Sequence, residues 1–332
     1  MQVDRRTFAA YSGASLIALA HDRATIEPGR LAGALRGRHV DGALLDALEA
    51  MTTRFADMGT AQRQHALTTL DALHTTLADL LDHGRCDATA LRRIHVMVAR
   101  VATTIAWWFF DHEGHGVASR YWHSALHSAQ EVGDHDLGAG ILSDLAYQAV
   151  WLGQPATAAD ILSHATTRAA HPASRSLLHL RRARAHALLG DARACHRDLS
   201  AAEAHLAATA PDPTPAWCVW MSPADLMLDT GRCLLDLDRT GDAHHHITAG
   251  LAQLTARRAK TTAVFDAYRA ESHLRANDID LAADAAARAL TTASDIGASR
   301  VVAGIRRLLP VFEPHLSVQG VAELMDLART RT

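Results

Sequence analysis

Short glycine or Asx breaks punctuate this chain at near-constant intervals. They are "DHEGHG" at Gly114, "WLGQP" at Gly153, "LLGDA" at Gly190, "RTGDA" at Gly241 and "RANDI" at Asn277. The intervals are 39, 37, 51 and 36 residues. About four residues after a break a small residue is usual (Ala118, Ala158, Ala194, Ala282), and a second follows near twelve (Ala125, Ala165, Ala202, Ala289). A tight turn followed by small residues lets the second helix of a hairpin pack closely on the first. Between the breaks, apolar residues recur at helical spacing, as in Leu177, Leu178, Leu180, Ala183, Ala187 and Leu188. Alternating strand patterns are almost absent. The chain therefore reads as all-α, an array of helix hairpins.

A hairpin unit of about 34 residues with small residues in these places resembles the tetratricopeptide (TPR) repeat. The expected fold is a TPR-like α-solenoid of about five hairpins with capping helices at both ends. Residues 1–25 form an N-terminal segment and residues 26–100 a capping helical bundle, with Gly84 as a C-cap and Asp87 as an N-cap. Repeats fill 101–300, and 301–332 close the array, with Pro310 and Pro314 bending or breaking the helix there. The one long interval, after Gly190, coincides with "PDPTPAWCVWMSPADL" at 211–226. Two tryptophans favour burial over disorder, so the segment reads as a Pro-stiffened insert entering the next first helix. Ser222 or its neighbour would be the N-cap and Pro223 the first helical residue. Trp217 and Trp220 share a face if the stretch is a helical turn and point oppositely if it is extended.

Composition narrows the function classes. With 48% apolar residues the chain can bury a sizeable core, and a net charge of −3 gives no global field toward nucleic acid or an anionic membrane. Lys260 is the only lysine. Protonating all 22 histidines would carry the charge from −3 to +19, which makes acid sensitivity an expectation, although the histidines scatter. Four dispersed cysteines without a CxxC pair read as reduced thiols rather than a zinc ribbon or disulfide framework. No apolar run approaches the roughly 18 residues of a membrane span. "VDRRTFAAYSGASLIALA" resembles a twin-arginine export signal, but its short, interrupted apolar stretch also fits an amphipathic helix. Cytoplasmic location is expected, with export as the alternative.

A longer stretch carries a family resemblance. "WWFFDHEGHGVASRYWHSALHSAQEVGDHDLGAGILSDLAYQAVWLGQPATAADIL", "ARAHALLGDARAC", "PTPAWCVWMSPADL" and "GASRVVAGIRRLLPVFEPHL" are similar to the TPR half of high-GC bacterial transcriptional regulators with an N-terminal Xre-type helix-turn-helix. The similarity spans roughly residues 40–320. It implies a regulatory binding protein for a peptide, small-molecule signal or protein partner, in transcriptional or secondary-metabolism control. No DNA-binding domain stands ahead of "MQVDRRTF" and no basic recognition helix appears elsewhere, so nucleic-acid binding is not expected of this chain alone. A homodimer is an assembly such a scaffold permits. The alternative is an enzyme or biosynthetic accessory protein on the same scaffold.

Candidate chemistry is sparse. No nucleophile elbow, Walker loop, dinucleotide fingerprint or catalytic Cys/His signature occurs, so no catalytic residue and no cofactor is expected. Ser143 and Asp144 read as ordinary helix surface in catalytic terms. His244, His245 and His246 point about 100° apart on a helix and do not converge on a metal. His112, Glu113 and His115 lack HExxH spacing; His123 and His127 have i,i+4 spacing but need a third ligand, such as His112 or Asp134. Metal binding is not expected. The resemblance implies that first helices line a concave groove. With each turn glycine at repeat position 15, Ser143, Tyr147, Arg184, Gly231, Leu235 and Glu271 face that groove. A one-residue slip adds Arg232, Tyr268 and Arg275, with Trp108 and Asp111 nearby and Trp220 contributed by the insert. In the aromatic run from Trp107 to Phe110, part must be core and part could reach the groove.

Overall fold

The computed structural model describes residues 28–37, 39–208 and 213–331. The stretch that resembles a twin-arginine signal lies outside them, as do residues 209–212, which include the first two of the insert. The described residues are helical almost throughout, and the pairing of His39 with Arg85 is an isolated bridge. Two compact units result. One takes residues up to 108 together with 120–133; the other takes 109–119 and 134 onward.

The first unit contains α1 (Pro28–Ala34), α2 (Gly42–Asp57), α3 (Thr60–Arg63) and α4 (Leu67–His83). It also holds most of α5 (Ala88–Asp111) and the later part of α6 (His115–Glu131). Leucines recurring every three to four residues (Leu44 and Leu48; Leu70, Leu73, Leu77 and Leu80) are buried, with Ile94, Met97 and Ile105 of α5. Asp41 caps α2 through the Leu44 amide at 2.9 Å, Asp87 caps α5 through Ala90 at 2.7 Å, and Gly84 terminates α4. Trp122 is fully buried and meets Trp107 edge-on, their rings 5.7 Å apart.

The second unit stacks five hairpins: α7 (His135–Trp151) with α8 (Pro155–Arg168), α9 (Pro172–Leu188) with α10 (Ala192–Ala207), α11 (Pro223–Asp236) with α12 (Thr240–Gln253), α13 (Ala259–Arg275) with α14 (Ile279–Asp295), and α15 (Ser299–Phe312) with α16 (Gln319–Thr330). First helices pack on successive first helices, α7 on α9, α9 on α11, α11 on α13 and α13 on α15. The final hairpin keeps Pro310 inside α15, and the chain leaves helix at a 3₁₀ turn, Glu313–His315, that holds Pro314.

One turn device recurs in the α5–α6 hairpin and in the first four hairpins of the second unit; the α15–α16 connection lacks it. A residue with positive φ follows the first helix, at Glu113 (62°), Gly153 (72°), Gly190 (74°), Asp238 (58°) and Asn277 (61°). The next amide donates to the carbonyl five residues back, as Gln154 does to Ala149 at 2.8 Å and Arg239 to Leu234 at 2.8 Å. That is the Schellman closure, which satisfies a helix-terminal carbonyl. The fourth turn corrects the expected register. Its left-handed residue is Asp238, not Gly241, which lies inside α12 with open space around it. Counted from Asp238, the small positions of this hairpin become Ala243 and Gly250, both buried. Gly231 faces α12, where a Cβ would stand 2.7 Å from Ile247, and Leu235 is fully buried. Both belong to the hairpin interior, not to a groove.

The insert is anchored. Residues 216–220 form a turn, with Cys218 donating to the Pro215 carbonyl at 3.0 Å. Cys218 is buried 3.9 Å from the Ser174 hydroxyl. Trp217 lies on α7 where Gly140 leaves room for it. Ser222 caps α11 in a reciprocal box with Asp225, and Pro223 occupies the first helical position. Arg258 ties Asp225 to the Trp220 carbonyl, the latter at 3.0 Å. The two tryptophans differ: Trp217 seats the insert, and Trp220 stays 38% exposed with its indole N–H donating to the Trp217 carbonyl at 2.8 Å.

Candidate ligand site

The first helices of the second unit carry a continuous network of arginines, carboxylates and tyrosines. On α7, Ser143 and Asp144 are buried rather than surface residues; Arg181 of α9 donates to them at 2.9 and 2.7 Å and lies over the Tyr147 ring at 5.2 Å. Arg232 of α11 pairs with Asp236 one turn on and with Glu271 of α13 at 2.5 Å. Glu271 also holds Arg275 at 2.6 Å, and Arg275 reaches Asp238 at 2.8 Å and the Leu235 carbonyl. Burial would raise the Glu271 pKa, but Arg232 and Arg275 outweigh it and keep the carboxyl below its usual range. Arg232 (4.4 Å) and Arg184 (5.4 Å) both lie over the Tyr268 ring, whose buried hydroxyl has no hydrogen-bond partner among the described residues.

Asp111, from the end of α5, is buried and pairs with Lys260 of α13 and with Arg300 of α15 at 3.4 Å. Burial alone would push its pKa up; the two cations more than offset this and hold it down. Arg300 is 3% exposed and packs against Phe110 (4.7 Å) and Trp151 (4.6 Å). It also acts on Tyr147, whose pKa is lowered, burial being overcome by Arg300 and Arg184.

Where α7, α9, α11 and the insert meet, they enclose a cavity of about 60 Å³. Ala146, Val150, Leu177 and Leu180 give it an apolar floor, Tyr147 and Trp220 are its aromatic walls, and Arg181, Arg184 and Asp229 supply charge. Arg184 is held loosely. Its nearest carboxylate oxygen, on Asp236, is 3.6 Å away, its Nε–H is buried without an acceptor, and its side chain is 11% exposed. Among the described residues no cation lies within 4 Å of Asp229. Burial drives its pKa up to about 6, opposed by Arg184 and reinforced by Asp225.

Of the expected groove residues, Ser143, Tyr147, Arg184, Arg232, Tyr268, Glu271, Arg275 and Asp111 lie in this network, and Trp220 walls the cavity. Trp108 is an exception alongside Gly231 and Leu235: it is half-buried in the first unit. Sequence reasoning missed Arg181, Asp229, Asp236, Lys260 and Arg300. Asp229 and Arg181 each stand one turn before a residue it found, Arg232 and Arg184, which is the signal that extending the stripe would have used.

A second, open groove of about 440 Å³ lies on α10, α11 and α12, lined by His196, Glu203, Met227, His245 and His246 among others. Among the described residues no group of three His, Cys, Asp or Glu side chains is placed to hold a metal. Asp134, once a candidate third ligand for His123 and His127, is the N-cap of α7 through the Leu137 amide at 2.9 Å. No described helix is long and apolar enough to cross a membrane.

No protein-family model and no curated protein matches the chain. Among solved structures it is similar to the crystal structure of Rap protein complexed with competence and sporulation factor. That match has a TM-score of 0.52 at 12% identity, covering 86% of this chain and 87% of that one. At such identity the likeness is one of fold, and it supports an all-α, TPR-like solenoid.

Proposed function

We propose that this chain is a cytoplasmic TPR-like regulatory protein that binds a short peptide or peptide-like signal on the first-helix face of its second unit. One observation carries the reading: the cavity beneath Trp220 combines an apolar floor, two aromatic walls and a loosely held guanidinium and carboxylate. Ligand sites have this composition, mostly apolar with a few charged groups that fix orientation. The fold-level likeness to Rap protein, solved with competence and sporulation factor, and the resemblance to TPR sensor halves of transcriptional regulators support a regulatory role. Ligand seated between α7, α9 and α11 would bias how successive first helices pack, which is how binding in a repeat array becomes a signal.

A thermal-shift screen of short peptides against the wild type and Trp220→Ala tests it. A peptide at a hundred times its Kd adds about 2.7 kcal/mol, and a unit of this size gains roughly 2–4 °C per kcal/mol. Peptides that stabilise the wild type by several degrees should leave Trp220→Ala unmoved. Equal shifts in both proteins would refute this location for the site.

A further inference from the structure

We propose that Arg184 and Asp229 together recognise an α-carboxylate with an N–H on its neighbouring atom, as in a free amino acid or the C-terminal residue of a peptide. This rests on the reading of the cavity as the ligand site and names what the site takes. The argument starts from what each charged group already has. Arg181 is engaged by Ser143 and Asp144, Arg232 by Asp236 and Glu271, Arg275 by Glu271 and Asp238, and Arg300 and Lys260 by Asp111. Arg184 is the exception among the cations of the face. Its guanidinium borders the cavity and stacks on Tyr268, yet its nearest carboxylate oxygen lies at 3.6 Å, beyond good hydrogen-bond reach, and its Nε–H is orphaned. A buried guanidinium with unused donors favours a planar, two-oxygen acceptor, which a carboxylate presents and a lone carbonyl does not.

Asp229 is the complementary case. It is the cavity's one carboxylate, no cation among the described residues lies within 4 Å of it, and the charges acting on it are Arg184, Arg181 and Arg258 against Asp225. Ionised, it only accepts hydrogen bonds, so the group beside it must donate. A ligand presenting an acceptor to Arg184 and a donor to Asp229 satisfies both; an isolated anion satisfies only the first. The size agrees: about 60 Å³ admits a head group of a few heavy atoms, while Leu177, Leu180 and Val150 receive an apolar side chain.

Isothermal titration with four probes separates the sources: L-leucine, its amide, a tripeptide library ending in leucine, and the same library C-terminally amidated. Binding of the acids, with amidation weakening it tenfold or more, is expected, and Arg184→Gln should impose the same loss on the acids and none on the amides. Asp229→Asn should weaken the acids while leaving the fold at least as stable. If only the library acids bind, the source is a peptide end; if L-leucine binds alone, it is a free amino acid. Amides that bind as well as acids, and lose affinity in Trp220→Ala, would overturn the carboxylate assignment while preserving the ligand site. Binding by no probe in any form would overturn both.

Discussion

Substituting alanine for Gly140 should destabilise the second unit, against the usual direction of a glycine-to-alanine change within a helix. In an unconstrained helix interior the change is favourable by roughly 0.5–1 kcal/mol, because alanine loses less backbone entropy. Here a Cβ on Gly140 would lie 2.6, 2.8 and 2.9 Å from three carbons of the Trp217 indole. The ring has little room to retreat, since Trp217 is tied through its carbonyl to Trp220, while Cys218 is buried against Ser174 and Arg258 holds the Trp220 carbonyl. Overpacking of this kind costs about 1–3 kcal/mol, so the net loss should be roughly 1–2 kcal/mol. A urea titration with unchanged m-value measures it. The decisive arm is the Trp217→Ala background. That variant alone should cost about 2 kcal/mol, less than a fully buried aromatic, and Gly140→Ala added to it should stabilise by about 0.5–1 kcal/mol. If Gly140→Ala stabilises the wild type, the indole does not seat on α7, and the account of the insert as a clip fails.

Three further outcomes follow from the same contacts. Asp111→Ala leaves Lys260 and the 3%-exposed Arg300 without their carboxylate, and the loss of a buried ion-pair partner should cost about 3–5 kcal/mol by chemical denaturation. Gly190→Ala forces an alanine to φ 74° in a Schellman turn and should cost about 1 kcal/mol in the same assay, whereas Gly241→Ala, in open space within α12, should be neutral or slightly stabilising. The Asp229 pKa is raised in the folded state to about 6, so its contribution favours folding below the unfolded carboxylate value and is lost as pH rises through 6. Asp229→Asn should therefore stabilise at pH 7.5, on the order of 2 kcal/mol, and have little effect near pH 4; a pH series of melts that shows no such divergence would contradict the burial of this carboxyl.

The hairpins closed at Gly153, Gly190 and Asn277 were legible because those turns need left-handed backbone, which these residue types supply. At Asp238 an aspartate does that work three residues before a conspicuous glycine, so reading the glycine slipped the register and sent Gly231 to the wrong face. The repeat register that the resemblance implied named Tyr147, Arg184 and Glu271, which stand on the first-helix network, since an α-helical stripe is written locally. What it could not show is which charge meets which. Lys260 and Arg300 reach Asp111 across 149 and 189 residues, and no local spacing encodes such a pairing. The insert was visible as an interruption, but its division of labour depended on Gly140, whose missing side chain is meaningful only once Trp217 is seen against it.

The central claim is that ligand occupies the cavity beneath Trp220 and not the larger groove on α10–α12. Hydrogen–deuterium exchange with a peptide hit from the thermal-shift screen tests it most directly. Binding should protect the described insert around 213–222 and the cavity-lining turns of α7 and α9, near Tyr147 and Arg184, and should leave the groove beside His196, Met227 and His245 unchanged. Protection confined to that outer groove, with the Trp220 segment exchanging as before, would contradict the account.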